Sequence, residues 1–554
     1  FIKSPVLWDI KSPALYTLCS TVKINGEKVD YYETRFGIRE TIFDPEKGFF
    51  LNGNPLKFQG VCMHHDLGPI GTAINKSALK RQLSILKEMG CNAIRTSHNP
   101  PAPELLELTD EMGFLVIDEA FDEWKIPKCA NGYNTIFDEW AEKDLRAMIR
   151  RDRNHPSVIM WSIGNEIPEQ EDPDNGPKLA RFLHNICKEE DPSRPTTSAF
   201  NIPDSAIKNG LAGIVDIPGW NYQPHKYGKY HQLLPGKPMY GSETASCISS
   251  RGEYFFPVEE ERYINNYYKR ANLQVNSYDL SCPGWATIPD VEFRAQDDHP
   301  FIMGEFVWTG FDYLGEPTPY YKEWPSRSSY FGIVDLCGIP KDRFYLYQSR
   351  WAPEKGTLHI LPHWTHPGYE GKITPVHCYT SWDRVELFVN GKSCGVKTKD
   401  PRNILNRYRL VWYIVYEPGE IKAVAYDSKG NTVKETTVRT AGAPAEIVLI
   451  PDRKEITGDG EDMAFVYVEI TDAKGTLCPK ADNLIKFKVE GPAEIVAVDN
   501  GDPTSTEPFH HPYRKAFNGK CVVYFRSIEG KKGNVKLIAQ SEGLVECVAS
   551  ITVK

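Results

Sequence analysis

Glu166 and Glu243 each close a short, mostly apolar run, VIMWSIGN before the first and PMYGS before the second. Two carboxyl groups on either side of one bond suit the hydrolysis of a glycoside. One protonates the departing oxygen, while the other attacks the anomeric carbon or activates water. Further polar groups stand at comparable places: His64, His65 and Asp66 after Met63; Ser97, His98 and Asn99 after Arg95; Asp118 and Glu119 after Ile117, with Asp122 and Glu123 close behind. Asn165 precedes Glu166, Trp220, Asn221 and Tyr222 end another run, and Trp308 is followed by Asp312. No Gly-rich phosphate cradle, HExxH helix or activated Ser or Cys signature accompanies them. Two plainer readings stand beside this one: Glu166 as the cap of the following helix, and Glu243 as a structural carboxylate in a Gly-Ser-Glu turn.

These groups share one rim only if the runs before them are strands of one closed parallel sheet. Strands buried on both faces read as nearly continuous apolar runs. Eight such runs occur: 57–63, 91–96, 114–118, 158–164, 196–200, 214–221, 238–243 and 301–308. Segments between the early ones have helical periodicity, as in SALKRQLSILKEMG, where Gly90 follows as a C-cap. The pattern predicts an α/β fold, a (β/α)8 TIM barrel over residues 41–355, with its active site where the strands end. An open doubly wound sheet would carry a Gly-rich turn after its first strand, and none is present. Across the barrel mouth Glu166 and Glu243 are expected at about 5 Å, the separation for direct attack and retention of configuration.

All-β segments flank the barrel. Residues 1–40 alternate around the turn Asn25-Gly26 and read as the C-terminal part of an immunoglobulin-like β-sandwich. Two or three strands bury no core alone, so partner strands are expected upstream. Residues 356–442, with a hairpin at Asn390-Gly391, predict an immunoglobulin-like β-sandwich, and residues 443–554 a C-terminal β-sandwich.

A net charge of −9 over 554 residues argues against a nucleic-acid or anionic-membrane surface. No run of about 18 uncharged apolar residues exists to span a membrane. The 13 cysteines are scattered, without a CxxC pair, and most of them read as buried thiols. Twelve Trp, 28 Tyr and 25 Phe can fill β cores or stack on sugars. The triplet Asn75-Lys76-Ser77 is a glycosylation-type motif that chance explains equally well.

NGNPLKFQGVCMHH, RTSHNPP, DRNHPSVIMWSIGNE, YGSETAS and GEFVWTGFDYLGEP, in this order and at this spacing, resemble glycoside hydrolase family 2, most closely its β-galactosidases. The resemblance covers about Thr34 to Trp351. It implies a retaining exo-β-glycosidase with Glu166 as acid/base and Glu243 as nucleophile. By the same matching His64, His98, Asn165, Tyr222 and Trp308 line the site for the terminal sugar. The implied partner is a β-linked oligosaccharide or other glycoside, not nucleic acid or membrane; a homo-oligomer and the compartment stay open. No cofactor is implied beyond a divalent cation that some members hold through a Glu and a His two residues apart. Here Glu123 is paired with Lys125, and an ammonium cannot coordinate a cation. Glucuronidases of the family hold the sugar carboxylate with an Asn-x-Lys pair; Lys341 lacks that Asn, which favours a neutral sugar. A glucuronidase, another family 2 β-glycosidase and a non-catalytic carbohydrate-binding fragment remain alternatives.

Overall fold

The computed structural model of the protein describes residues 2–258 and 270–554. The chain divides into two compact units, each made of discontinuous stretches. One comprises Phe1–His65, Cys91–Ala245 and Val291–Trp308; the other Asp66–Gly90, Ser246–Asp290 and Thr309–Lys554.

Eight parallel strands of the first unit close into a barrel: β1 (Phe58–Met63), β2 (Ala93–Thr96), β3 (Leu115–Glu119), β4 (Val158–Asn165), β5 (Thr196–Phe200), β6 (Ile217–Asn221), β7 (Met239–Ala245) and β8 (Ile302–Trp308). Each pairs with its sequence neighbours, and β8 pairs with β1 to close the ring. The predicted barrel is therefore present, with small differences at strand ends. The sixth strand begins at Ile217, not at 214, because Ile214 ends the helical turn Leu211–Ile214. The third, fourth and seventh strands run one or two residues further, to Glu119, Asn165 and Ala245.

The barrel strands turn apolar side chains outward onto helices. Val116, Val158, Trp161, Ile163 and Phe200 form one buried cluster with Leu145 and Ile149 of α1 (Phe137–Asp152) and with Leu183 and Ile186 of α2 (Gly176–Glu190). The seam between β8 and β1 is made by glycines. A Cβ on Gly304 would lie 2.2 Å from the Phe58 carbonyl oxygen, and one on Gly60 would lie 2.5 Å from the Phe306 ring. Tyr16–Ile24 and Glu27–Phe36 form a separate antiparallel pair, with Asn25 and Gly26 at positive φ. A small sheet of Thr41–Asp44, Gly48–Leu51 and Asn54–Leu56, not read from the sequence, precedes the barrel.

Among its described residues the second unit holds four antiparallel or mixed sheets. Leu358–Leu361, Ile373–Thr380 and Arg409–Val415 share a buried core with a four-stranded sheet from Arg384–Val389 to Thr432–Arg439. Sheets of four and five strands within residues 444–553 share another core, built on Val466, Val468, Phe487, Val523 and Leu537. Asn75 caps the helix Lys76–Met89: its side chain accepts from the Ala78 N–H and donates to the Glu461 carbonyl. It is buried, so the glycosylation-type triplet offers no free amide. Nine of the 13 cysteines are buried thiols. No helix among the described residues is long and apolar enough to cross a membrane.

Candidate active site

At the end of β4 the chain turns at Glu166, whose φ of 44° lies in the left-handed region. A non-glycine residue there costs about 1–3 kcal/mol and persists only when its surroundings fix it. The Glu166 N–H donates to the Ala199 carbonyl on β5 at 2.8 Å. The following short helix has Ile167 in its cap position, so Glu166 is not a helix cap. Asn221, fully buried at the end of β6, donates to Glu166 Oε1 at 2.9 Å and to Asn165 Oδ1 at 3.2 Å, and accepts from Ser242 Oγ at 2.6 Å.

Glu243 on β7 is held at both oxygens. Arg95 Nη1 donates to Oε1 at 2.8 Å, and the Tyr222 hydroxyl donates to Oε2 at 2.9 Å. Tyr222 is itself at positive φ, and its N–H donates to the Glu243 carbonyl at 2.8 Å. Glu243 is therefore more than a turn carboxylate, since the charged and phenolic donors of two other strand ends converge on it.

Arg95, on β2 and wholly buried, ties these pieces together. It pairs with Glu119 of β3 at 2.8 Å and donates to Asn165 Oδ1 at 2.9 Å and to the Ser242 carbonyl at 3.0 Å. Breaking such a buried pair leaves an uncompensated charge, typically worth about 3–5 kcal/mol. Glu119 also accepts from Ser162 Oγ and lies 2.7 Å from His98 Nδ1. Burial pushes the Glu119 carboxyl up, but Arg95 and His98 outweigh it and hold the group below its usual range. For His98, burial opposes the charged ring, yet the Glu119 hydrogen bond and the charges of Glu119 and Glu243 raise it.

The His98 ring stacks on Trp308, with centroids 5.1 Å apart and planes within 6°. His64 meets the same indole edge-on at 5.1 Å. Burial, with the adjacent His98, lowers His64 to about 4, so it is a neutral hydrogen-bonding ring at neutral pH. Glu166 moves the other way: burial first, then the charge of Glu243, raise it to about 7 against the Asn221 hydrogen bond and the charges of Lys128 and His98. A carboxyl group at that value can give a proton at neutral pH and take one back.

All seven residues singled out from the sequence thus belong to one network. Glu166, Glu243, Asn165, His98 and Tyr222 join through hydrogen bonds or their shared partners Arg95 and Asn221; His64 and Trp308 join through ring contacts. Three other rim candidates go elsewhere. Trp220 is buried against Phe200 and Tyr230 in the helix-facing core. Asp118 is fully buried, and burial with the neighbouring Asp152 of α1 holds its carboxyl well above the usual range. Asp312 pairs with Lys341 at 2.6 Å. Arg95 and Glu119 stood in the sequence inventory without a role. Ser162 and Ser242 were missed, although a hydroxyl in a run buried on both faces needs an internal partner and so signals one.

The residues present do not suit the divalent cation that the family resemblance allows. Glu123 Oε1 accepts from the Asn134 N–H at 2.9 Å and Oε2 from the Lys128 N–H at 2.7 Å, while Lys125 pairs with Asp138. Among the described residues no group of three or more His, Cys, Asp or Glu is arranged for a metal ion.

Comparison with known proteins agrees with the barrel fold. Residues 44–228 match the family model for "Glycosyl hydrolases family 2, TIM barrel domain", residues 1–39 that for "Glycosyl hydrolases family 2", and residues 447–549 that for "Glycoside hydrolase family 2 C-terminal domain 5". Residues 371–434 match a domain of unknown function. The chain is 46% identical to a β-galactosidase of Bacteroides ovatus, over 100% of the chain and 68% of that protein. It is 28% identical to a β-glucuronidase of Bacteroides fragilis, over 79% of the chain and 60% of that protein. The crystal structure of a β-glycosidase from Bacteroides vulgatus superposes with a TM-score of 0.89 at 36% identity, covering 100% of this chain and 71% of that one. With the closed eight-stranded barrel, the match to the family's barrel model and this identity to its members, the chain belongs to glycoside hydrolase family 2.

Proposed function

We propose that the protein is a retaining, exo-acting β-glycosidase that removes terminal non-reducing β-D-galactosyl residues by double displacement. The observation that carries this reading is the contrast between two carboxyl groups. Glu166 is raised to about 7 by burial and by Glu243, while Glu243 accepts from a guanidinium and a phenol that fix its orientation. In the first step a Glu243 oxygen attacks the anomeric carbon as Glu166 gives its proton to the departing glycosidic oxygen. The negative charge of Glu243 is lost in the ester, so Glu166 ionises more readily and takes a proton from the incoming water. In this reading Asn165, held by Arg95, hydrogen-bonds a sugar hydroxyl, and the Trp308 ring with His64 and His98 bounds the sugar; their mutual contacts support it.

A neutral sugar is favoured by the state of Lys341, the lysine nearest in sequence to a glucuronidase pattern. Its ammonium is within 2.8 Å of the Ser249 carbonyl, 3.2 Å of the Tyr330 carbonyl and 2.6 Å of Asp312, so its three protons have partners. The name of the Bacteroides ovatus relative points the same way, and that of the Bacteroides fragilis relative points to glucuronides. The chain spans about two thirds of the length of these relatives, so activity is to be measured on the full-length protein. Assay with a panel of aryl β-glycosides is expected to give the highest kcat/KM for the galactoside, with the β-anomer released first in NMR. A higher kcat/KM for the glucuronide overturns the sugar assignment, and release of the α-anomer overturns retention.

A further inference from the structure

Glu123 stands where the family resemblance would put a metal-binding carboxylate, yet both of its oxygens are spent on the loop that follows, on the N–H groups of Lys128 and Asn134. That loop passes so close that a Cβ on Gly132 would fall 1.8 Å from Glu123 Oε1. Winding the loop around Glu123 delivers the Lys128 side chain to the end of β4. Its Nζ lies 2.7 Å from Asp122 Oδ1, 3.0 Å from the Asp122 carbonyl and 3.3 Å from the Asn165 carbonyl. An ammonium has three protons, and three oxygens are in reach. The Asn165 carbonyl belongs to the peptide bond that leads into Glu166, and Asp122 Oδ1 also accepts from Asn165 Nδ2 at 2.9 Å.

We propose that Lys128 is a positioning residue for Glu166, a fixed ammonium that clasps the Asp122 and Asn165 corner and supplies, beside the acid/base, positive charge that needs no bound cation. This rests on the assignment of Glu166 as the acid/base. The charged groups acting on Glu166 are Glu243 from β7, His98 after β2 and Lys128 from this loop, with Asn221 of β6 giving a neutral hydrogen bond. Burial and Glu243 keep the proton on Glu166; Lys128 and His98 favour its release. Removing the Lys128 charge therefore makes the carboxyl group hold its proton to higher pH. The glycosyl-enzyme step, which needs Glu166 as a base, then suffers most near neutrality. Lys128 itself transfers no proton.

The test is the pH dependence of kcat/KM for a β-galactoside with a poor leaving group, measured on the full-length protein with Lys128→Met and Lys128→Arg. In the Met variant the alkaline limb is expected to move upward by about 0.5–1 on the pH scale, while the Arg variant keeps the wild-type limb. A merely structural role would lower activity at every pH and leave the limb in place; that result, in a variant with native circular dichroism, overturns the proposal. The wild-type protein gives an independent arm if the Met variant does not fold. Its activity is expected to survive exhaustive chelation unchanged, and a loss restored by magnesium overturns the proposal. Full turnover of the same substrate by Glu166→Ala would instead remove the acid/base assignment, whereas an unmoved limb with that variant inactive removes only the role of Lys128.

Discussion

A carboxyl group in water is almost fully ionised at neutral pH, so a glutamate that must protonate a leaving oxygen needs its acid form stabilised by its surroundings. Glu166 has two such influences, burial and the charge of Glu243, which together raise it to about 7. The proton is present below that value and lost as pH rises through it. kcat/KM for an unactivated galactoside is expected to fall on an alkaline limb near pH 7, measurable by initial rates across pH 5–9 in constant ionic strength. A profile flat to pH 9 would argue against the role. Glu166→Ala is expected to cost about 10²–10⁴ in kcat/KM with poor leaving groups and much less with activated aryl glycosides, which need little protonation; equal losses would contradict an acid function. Glu166 and Glu243 were legible as candidates because each closes an apolar run. Their partners were not: Arg95 reaches Glu119, Asn165 and Glu243 across the barrel, over sequence separations of 24, 70 and 148. Only closure of the ring fixes those meetings.

At the scale of elements, the site depends on where strands stop and on how the barrel is sealed. The eight strands were legible because parallel strands covered on both faces read as unbroken apolar runs. The errors fall where that signal is ambiguous. Ile214, expected to open the sixth strand, instead ends the turn LAGI, because a short apolar stretch fits one helical turn as well as a strand start. The small sheet within residues 41–56 has strands of three or four residues, with Pro45 just after the first and Pro55 within the third, too short for alternation to show. The seal between β8 and β1 gives the test at this scale. Gly304 has φ of 131° and no room for a Cβ beside the Phe58 carbonyl. Gly304→Ala is expected to destabilise the barrel by about 2–5 kcal/mol, from left-handed backbone strain and overpacking together. Urea unfolding followed by tryptophan fluorescence measures it, and a change below about 0.5 kcal/mol would mean that the seam relaxes freely.

At the scale of the molecule, the second unit has an anchor of its own. The Arg81 guanidinium lies over the rings of Phe465, Tyr467 and Tyr524 at 4.7, 5.2 and 5.5 Å, and donates to the Cys337 carbonyl and to the hydroxyls of Tyr467 and Tyr524. Arg81→Met is expected to lower stability by about 2–4 kcal/mol through lost hydrogen bonds and cation–π contacts, seen as a lower denaturation midpoint; an unchanged midpoint would show that the aromatic cluster holds without its cation. None of this was visible in the sequence, because it joins residues 81, 337, 465, 467 and 524. The catalytic reading, in contrast, reduces to one pair of residues and one covalent bond. Trapping the full-length protein with a 2-deoxy-2-fluoro-β-galactosyl reagent and locating the adduct by peptide mass spectrometry tests it most directly. The adduct is expected on Glu243; an adduct on Glu305, Asp118 or Glu166 would contradict the assignment of nucleophile and acid/base.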